Sequence, residues 1–476
     1  MSNTLPVSVL NTLPCPEAAE VDRLLAAELD ASRLKLVVLD DDPTGVQTVH
    51  DLSVYTDWSE DSIRRGFAEE NRAFYILTNS RGMTVAETTS AHREIGARVA
   101  AVSRETGIPY LIFSRSDSTL RGHFPLETEL LREESEKAGL PVDGEILCPF
   151  FLEGGRFTLG NVHYVRQGET LVPAADTEFA KDKTFGYTHS DLPSYIEEKT
   201  RGAYPAESVT CVSLEDLRSM NLDAIETQLL AVEGFGKVAV NAASYSDVKV
   251  FAIALYRALA KGKRFLFRTA AGLVKVMAGV SDQPLLTHAQ LIPDASALGG
   301  LVVVGSHTAK TTAQLKELLT LPETVEIPFN SDKVLEGDEA LAAEVARCIA
   351  LEEEVIRSGK SAVCYTSRTL LSLPDDTPEA ALVRSVKISD SVQKLVAGLS
   401  IRPAFVIAKG GITSSDVGTK ALAVKRADVL GQIQPGIPVW RCGSESKFPG
   451  ISYVIFPGNV GEADTLRKAA EVLIRG

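Results

Sequence analysis

Through the first half of the chain, apolar runs of strand length alternate with patterns of helical period. The runs fall at 34–39, 73–77, 110–113 and 145–150, with helical spacing over 85–102 and 124–137 between them and an earlier helix over 16–29. Strand-then-helix alternation predicts a parallel sheet covered by helices on both faces. The rhythm weakens over 151–205, a stretch rich in Gly, Thr, Tyr and Asp that reads as a long excursion beside a site, and returns at 237–241, 248–260 and 264–267. Residues 281–300 hold two prolines and a glycine pair and read as a linker. Beyond it, apolar runs at 301–304, 361–365, 404–408 and 453–456 predict a second α/β unit. The expectation is a two-domain α/β protein, 1–290 and 291–476, each domain a mostly parallel sheet flanked by helices.

A length of 476 residues suits two or three domains, and 45% hydrophobic with 24% charged residues is an ordinary globular composition. The 49 basic and 63 acidic residues leave a net charge of −14, which argues against nucleic acid as a partner but not against a small anion held by local arginines. Six cysteines (15, 148, 211, 348, 364, 442) show no C-x-x-C pair. Cys148, Cys211 and Cys364 sit in apolar runs where a thiol acts as a small hydrophobe, so a reducing, cytoplasmic setting is expected. No segment has the apolar length of a membrane span, and the seven histidines lack metal-ligand spacing. Neither a membrane nor a protein-held metal is expected.

Polar clusters follow the strand-like runs, where open α/β sheets bind ligands. Asp40-Asp41-Asp42-Pro43-Thr44-Gly45 sets three acids in a row, which repel unless cations or donors meet them; the plain alternative is a turn. Arg81, in Thr78-Asn79-Ser80-Arg81-Gly82, has the fork to grip a carboxylate with two hydrogen bonds, although a lone arginine is often just a surface residue. Ser114-Arg115-Ser116-Asp117-Ser118-Thr119-Leu120-Arg121-Gly122-His123 packs hydroxyls, a carboxylate, two arginines and a histidine into ten residues, a set suited to a polyol acid or, more plainly, to a polar helix-capping loop. Phe150-Phe151-Leu152-Glu153-Gly154-Gly155-Arg156 and Asn161-Val162-His163-Tyr164 form a fourth patch, a mobile cover or a structural loop.

In the second half, Val304-Gly305-Ser306-His307-Thr308, Lys409-Gly410-Gly411-Ile412-Thr413-Ser414-Ser415 and Pro457-Gly458-Asn459-Val460-Gly461 share one grammar: apolar strand, glycine-containing loop, helix. Glycine lets backbone N–H groups approach an anion, so three such loops predict a nucleotide-phosphate site. A side chain at Gly411 is expected to obstruct that approach and to force an unfavourable dihedral. There is no G-x-G-x-x-G. Gly359-Lys360-Ser361 has Glu354 where a P-loop needs its first glycine, and Gly305-Ser306-His307 lacks the second glycine of a nucleophile elbow.

On the Asp41-Asp42-Pro43-Thr44-Gly45, Asp117-Ser118-Thr119-Leu120-Arg121-Gly122, Gly305-Ser306, Gly410-Gly411-Ile412-Thr413 and Gly458-Asn459 segments, nearly the whole chain resembles the four-carbon acid sugar kinase family. The resemblance implies an N-terminal acid-sugar domain, a C-terminal nucleotide domain and catalysis in the cleft between them. The implied activity is an ATP-dependent phosphotransfer to an alcohol group of a threonate, erythronate or 3-oxo-tetronate type acid. Asp41, Asp42, Arg81, Ser116, Asp117, Ser118, Thr119 and Arg121 would contact the acid sugar, with Arg81 or Arg121 pairing with its carboxylate and Asp117 or Asp42 as base. Ser306, Gly410, Gly411, Ile412, Thr413, Gly458 and Asn459 would contact ATP, and Mg2+ would arrive with its phosphates. Homo-oligomerisation is left open. Pro43 replaces a large apolar residue, Gln47-Thr48-Val49-His50-Asp51 lengthens the motif and 151–190 is expanded, departures that bear on which acid is used. The rival readings are a non-catalytic sensor of sugar acid and nucleotide, which would release no ADP, and a hydroxy-acid dehydrogenase, which the missing dinucleotide fingerprint disfavours.

Overall fold

The structure, a computed structural model, describes all residues except 1–3, 13, 295, 370, 372, 374, 375, 459 and 476. The chain forms two compact units: residues 1–48 with 57–282, and 49–56 with 283–476. Both are α/β. Residues 49–56 and 283–290, inside the N-terminal domain by sequence pattern, fold with the second unit.

In the first unit the strands lie parallel in the order Thr210–Val212, Gly236–Val240, Gly144–Cys148, Phe265–Thr269, Tyr110–Arg115, Lys35–Asp40 and Ala73–Leu77. Every residue of Lys35–Asp40 and Ala73–Leu77 is buried, which is why these strands read as unbroken apolar runs rather than alternating ones. Helices Val85–Thr106 and Tyr245–Ala260 start at capping boxes, Thr84 with Glu87 and Ser244 with Asp247, which satisfy otherwise orphaned N–H groups.

The excursion after Cys148 is an antiparallel sheet, ordered Leu5–Pro6, Thr170–Pro173, Val162–Gln167 and Arg156–Leu159. Its inner hairpin turns on Gly160-Asn161, both at positive φ (54° and 68°), the two-residue turn whose twist matches antiparallel strands. Phe151 and Arg156 exchange backbone hydrogen bonds at 3.1 and 2.8 Å, so Phe151 to Arg156 is a structural turn rather than a cover.

The second unit orders its strands Leu52–Tyr55, Arg426–Gln434, Ile437–Cys442, Ser452–Phe456, Phe405–Lys409, Leu301–Val304, Ser361–Thr366 and Thr324–Phe329. Pairings are antiparallel up to Ser452–Phe456 and parallel beyond it. The stretch 281–300 is not a bare linker: it contains the short helix His288–Leu291 and sends Leu286 and Leu291 into the unit's core. Among the described residues no helix is long and apolar enough to cross a membrane. Cys148 and Cys364 are buried thiols and Cys211 is half-buried.

One ion pair is built into the first sheet. Lys237 and Glu145 are register partners on adjacent strands, fully buried, with Nζ 2.5 Å from Oε2. The ammonium also lies 3.7 Å from the Phe235 ring centroid. Removing one partner strands a buried charge, so Lys237→Met is expected to destabilise the protein by roughly 3–5 kcal/mol in denaturant unfolding, with Lys237→Met/Glu145→Met recovering much of the loss.

Candidate functional site

The first candidate site stands at the carboxyl ends of the parallel strands in the first unit. Gly45 N–H donates to the Asp42 carbonyl at 3.0 Å, closing a turn with Pro43 in its second position, and the Asp42 carboxylate accepts from Thr44 N–H at 2.8 Å and Thr44 Oγ1 at 2.5 Å. The expected turn is present. A Cβ on Gly45 would lie 1.9 Å from the Asp40 carboxylate oxygens, so only glycine allows the loop to close over that side chain.

The next loop continues the pairing: Thr78, Asn79 and Arg81 N–H donate to Asp40 and Asp41 carbonyls. Asn79 takes the left-handed conformation that asparagine tolerates well (φ 56°). Arg81 is thereby held against the acids. Its two-pronged grip closes on the protein's own Asp41 (Nη2–Oδ1 2.6 Å, Nε–Oδ2 3.1 Å) rather than standing open for a ligand, while Nη1 reaches Asp42 at 3.4 Å.

In the third loop Asp117 accepts from Arg121 Nε at 2.7 Å and from Thr119 Oγ1, both on Oδ2. Ser116 N–H donates to the Thr269 carbonyl at 2.8 Å, and its hydroxyl lies 3.1 Å from that of Ser114. The backbone from Ser118 to Leu120 is held by the excursion. His163 Nε2 lies 2.8 Å from the Ser118 carbonyl, Tyr187 OH donates to Thr119 O at 2.7 Å and Tyr195 OH to Leu120 O at 2.8 Å. Nε2 of His163 therefore carries the proton, and Nδ1 accepts from Thr158 Oγ1 at 3.0 Å; burial pushes this imidazole down to about 4, so it is neutral. Leu120 is left-handed (φ 68°), a conformation costly for leucine, and these bonds with its burial hold it there.

Sequence pattern missed the charges beneath the loops. Glu127 accepts from Ser80 Oγ (2.6 Å), Ser114 Oγ (3.1 Å) and Arg268 Nη1 (3.3 Å), with His92 Nε2 at 3.7 Å. Arg115 pairs with Asp40 at 3.4 Å. The available signal was position: Arg115 and Arg268 are the charged residues near the ends of the buried strands Tyr110–Arg115 and Phe265–Thr269.

These surroundings separate the carboxyls. Burial, reinforced by the charges of Asp41 and Asp42, outweighs Arg115 and pushes Asp40 up to about 8. Burial also raises Asp41 despite Arg81. For Asp117 burial is overcome by Arg81, Arg121 and Thr119, which hold its carboxyl well below the usual carboxylate range; Arg81 and Thr44 likewise overcome burial and lower Asp42.

In the second unit the three glycine loops follow neighbouring parallel strands, Ser452–Phe456, Phe405–Lys409 and Leu301–Val304. Gly410 N–H donates to Phe456 O at 3.0 Å and Gly305 N–H to Lys409 O at 3.3 Å, which draws Ser306, Gly410, Gly411, Thr413 and Gly458 to one edge. The dihedral that demands glycine belongs to Gly410 (φ 123°), not to Gly411, whose φ is ordinary. A Cβ on Gly411 would meet nothing within 4 Å. Ile412 points outward, 73% exposed, and Asn459 lies outside the described residues.

Arg368 was not foreseen here, and Lys409 was named only as the start of its loop. Lys409 is buried at the end of its strand, donates to Pro457 O (2.5 Å) and Gly458 O (3.0 Å), and is pushed down to about 7 by burial and then by Lys310. Arg368 donates to Ser306 O at 2.6 Å and to Thr366 Oγ1 at 2.8 Å. Among the described residues no group of three or more His, Cys, Asp or Glu is arranged to hold a metal ion.

Comparison with known proteins matches residues 36–277 to a family model described as a sugar-binding N-terminal domain and 301–466 to one described as a nucleotide-binding C-terminal domain. No curated protein matches the chain. Among solved structures, Haemophilus influenzae protein HI1011, of family DUF1537, is similar at 17% identity and TM-score 0.60, over 92% of this chain and 100% of that one. A candidate tRNA synthase of Salmonella typhimurium LT2 is similar at 16% identity and TM-score 0.66, over 91% and 98%. At such identities the likeness establishes a shared fold.

Asp40 makes the first site's charge balance testable. Its folded carboxyl keeps a proton that the unfolded chain has lost, so its contribution to stability is full below the ordinary carboxylate range and is lost as pH rises through about 8. Thermal unfolding from about pH 5 to about pH 8 is expected to show wild-type stability falling more steeply than that of Asp40→Asn; parallel curves would show that Asp40 is already ionised in the folded state.

Proposed function

The chain belongs to the four-carbon acid sugar kinase family, and we propose that it transfers the γ-phosphoryl group of ATP to a hydroxyl of a four-carbon acid sugar of the threonate, erythronate or 3-oxo-tetronate type. The observation that carries this reading is the joining, in one chain, of a sugar-binding and a nucleotide-binding domain. A cytoplasmic setting belongs to the same reading.

Phosphoryl transfer asks for positioning and charge stabilisation more than covalent chemistry. Asp41, Asp42, Ser116, Ser118 and Thr119 take the sugar's hydroxyls, while Arg81 and Arg121 hold the acids in place and supply positive charge. Asp117 is the base. Its Oδ2 is anchored by Arg121 and Thr119, and the other oxygen is directed to the reacting hydroxyl. Its low pKa keeps it ionised, so it accepts the proton only as the hydroxyl acidifies on bond formation; Asp42, with one oxygen tied up by Thr44, is the alternative base. The backbone from Gly410 to Thr413, the Gly458 loop and Ser306 receive the nucleotide phosphates. The hydroxyls of Ser306, Thr308 and Thr413 are hard oxygen donors that fit Mg2+, which, when bound with ATP, supplies charge neutralisation. Transfer requires the acid's hydroxyl and the γ-phosphate to meet during turnover.

ADP release measured across four-carbon acids and their oxo derivatives tests the reading. Turnover with one or more of these acids supports it, and binding of acid and nucleotide without ADP would make the protein a sensor. Asp117→Asn is expected to fold normally and to lose about 10²–10⁴-fold in kcat, with substrate KM changed far less; near-normal turnover in it beside a dead Asp42→Asn moves the base to Asp42. Gly411→Val is expected to unfold near the wild-type temperature, because its side chain enters open space, yet to lose about 10–100-fold in nucleotide affinity through blocked N–H contacts. Undiminished calorimetric ATP affinity in the folded variant would put the nucleotide on another loop.

A further inference from the structure

The arginines of the first unit's site are nearly all spent. Arg81 lies on Asp41 and Asp42, Arg115 on Asp40, Arg121 on Asp117 with Asp182 at 3.8 Å, and Arg268 on Glu127. Arg156 differs. Among the described residues it has no carboxylate within ion-pair reach; its Nη1 donates to the Gly154 carbonyl, and its Nε is buried without a hydrogen-bond partner. Its guanidinium lies 5.5 Å from the centroid of the Phe179 ring, the ring that Arg121 covers at 5.1 Å. Arg156 therefore stands beside the Arg121–Asp117 pair, at the first position of the excursion's hairpin strand Arg156–Leu159. Burial lowers its pKa, the Asp117 charge works against that and the Arg121 charge adds to it, so the two arginines share one nearby acid.

We propose that Arg156 is the receptor for the substrate's carboxylate. A half-buried guanidinium whose Nε is shut off from water without a partner is costly, and an arriving carboxylate supplies the missing charge and accepts from the idle donors. Arg81 and Arg121 would have to release Asp41 or Asp117 to do the same. The excursion thus confers preference for an acid over the matching polyol, with the substrate's hydroxyl chain running from Arg156 toward Asp117. This assignment deepens the kinase reading and rests on it.

Calorimetric titration of wild type, Arg156→Met, Arg156→Lys and Arg81→Lys tests it, with threonate and erythronate as acids, threitol and erythritol as neutral counterparts, and ATP as a control. Arg156→Met is expected to lose about 10–100-fold in affinity for whichever acid the wild type binds. Polyol and ATP affinities should hold, so that the preference for acid collapses. Arg156→Lys keeps the charge without the fork and is expected to recover part of the preference; it carries the test if the methionine variant melts early. A folded Arg156→Met with wild-type preference overturns the proposal, as does equal weakening of acid and polyol in either Arg156 variant, or a preference lost only in Arg81→Lys. A wild type that binds neither acid overturns the substrate reading, and the proposal with it.

Discussion

The Arg81–Asp41 fork is the interaction on which the first unit's candidate site depends. Three consecutive acids at one buried strand end would repel one another strongly if all were ionised, and Asp40 escapes by keeping its proton. The sheet meets that repulsion through register. Asp40 lies opposite Arg115 on the next strand, Ser114 lies opposite Arg268 on the strand after, and the loop bearing Arg81 keeps bonding to the Asp40 and Asp41 backbone beyond the last strand residues. Parallel strands end together, so charges at their carboxyl ends become neighbours without any long-range design in the loops.

A second constraint holds the loop that carries Asp117. Asp117 is only as well placed as the backbone through Ser118 and Leu120, and that backbone is strained at Leu120. Its carbonyls are pinned by His163, Tyr187 and Tyr195, all from the excursion. A segment that looks like an ornament on the sheet is therefore the scaffold of the loop, and through Arg156 it also brings charge to it.

Much of this was legible in the sequence because buried parallel strands are continuous apolar runs and because ligand loops follow them. The strands after 34, 73, 110, 301 and 404 and the polar clusters behind them were readable on those grounds. The missed strands are of other kinds. Arg426–Gln434 alternates buried with half-buried residues, a period-two signal hidden by its Arg, Asp and Gln side chains, and Thr324–Phe329 is an edge strand with exposed Glu326 and Pro328. Leu52–Tyr55 is too short to announce that it pairs with residues some 370 positions later. Glu127 and Arg268 were unreadable as a pair because their contact is tertiary, though a charge at the end of an apolar strand was a visible sign at Arg115, Arg268 and Lys409. Gly411 was read as the strained glycine; the strain belongs one residue earlier, where the chain leaves the strand.

The two units answer two kinds of ligand with two kinds of chemistry. A sugar acid presents hydroxyls that both donate and accept, so its site needs fixed acceptors, and the acids supplying them must be neutralised by arginines that are then unavailable for the ligand. Phosphate only accepts, so its site needs donors alone, and backbone N–H groups beside glycine and hydroxyl residues provide them without carboxylates. The same logic reconciles a net charge of −14 with the two anionic ligands proposed for the chain. Net charge sums the whole chain, whereas the first unit gathers Arg81, Arg115, Arg121, Arg156 and Arg268 near one sheet edge, and the second holds Lys409 buried under its loops, donating to two carbonyls and lying over the Phe456 ring. An acidic protein can hold anions where its cations are gathered, and in the first unit's cluster Arg156 is the arginine for which, among the described residues, no carboxylate comes within ion-pair reach.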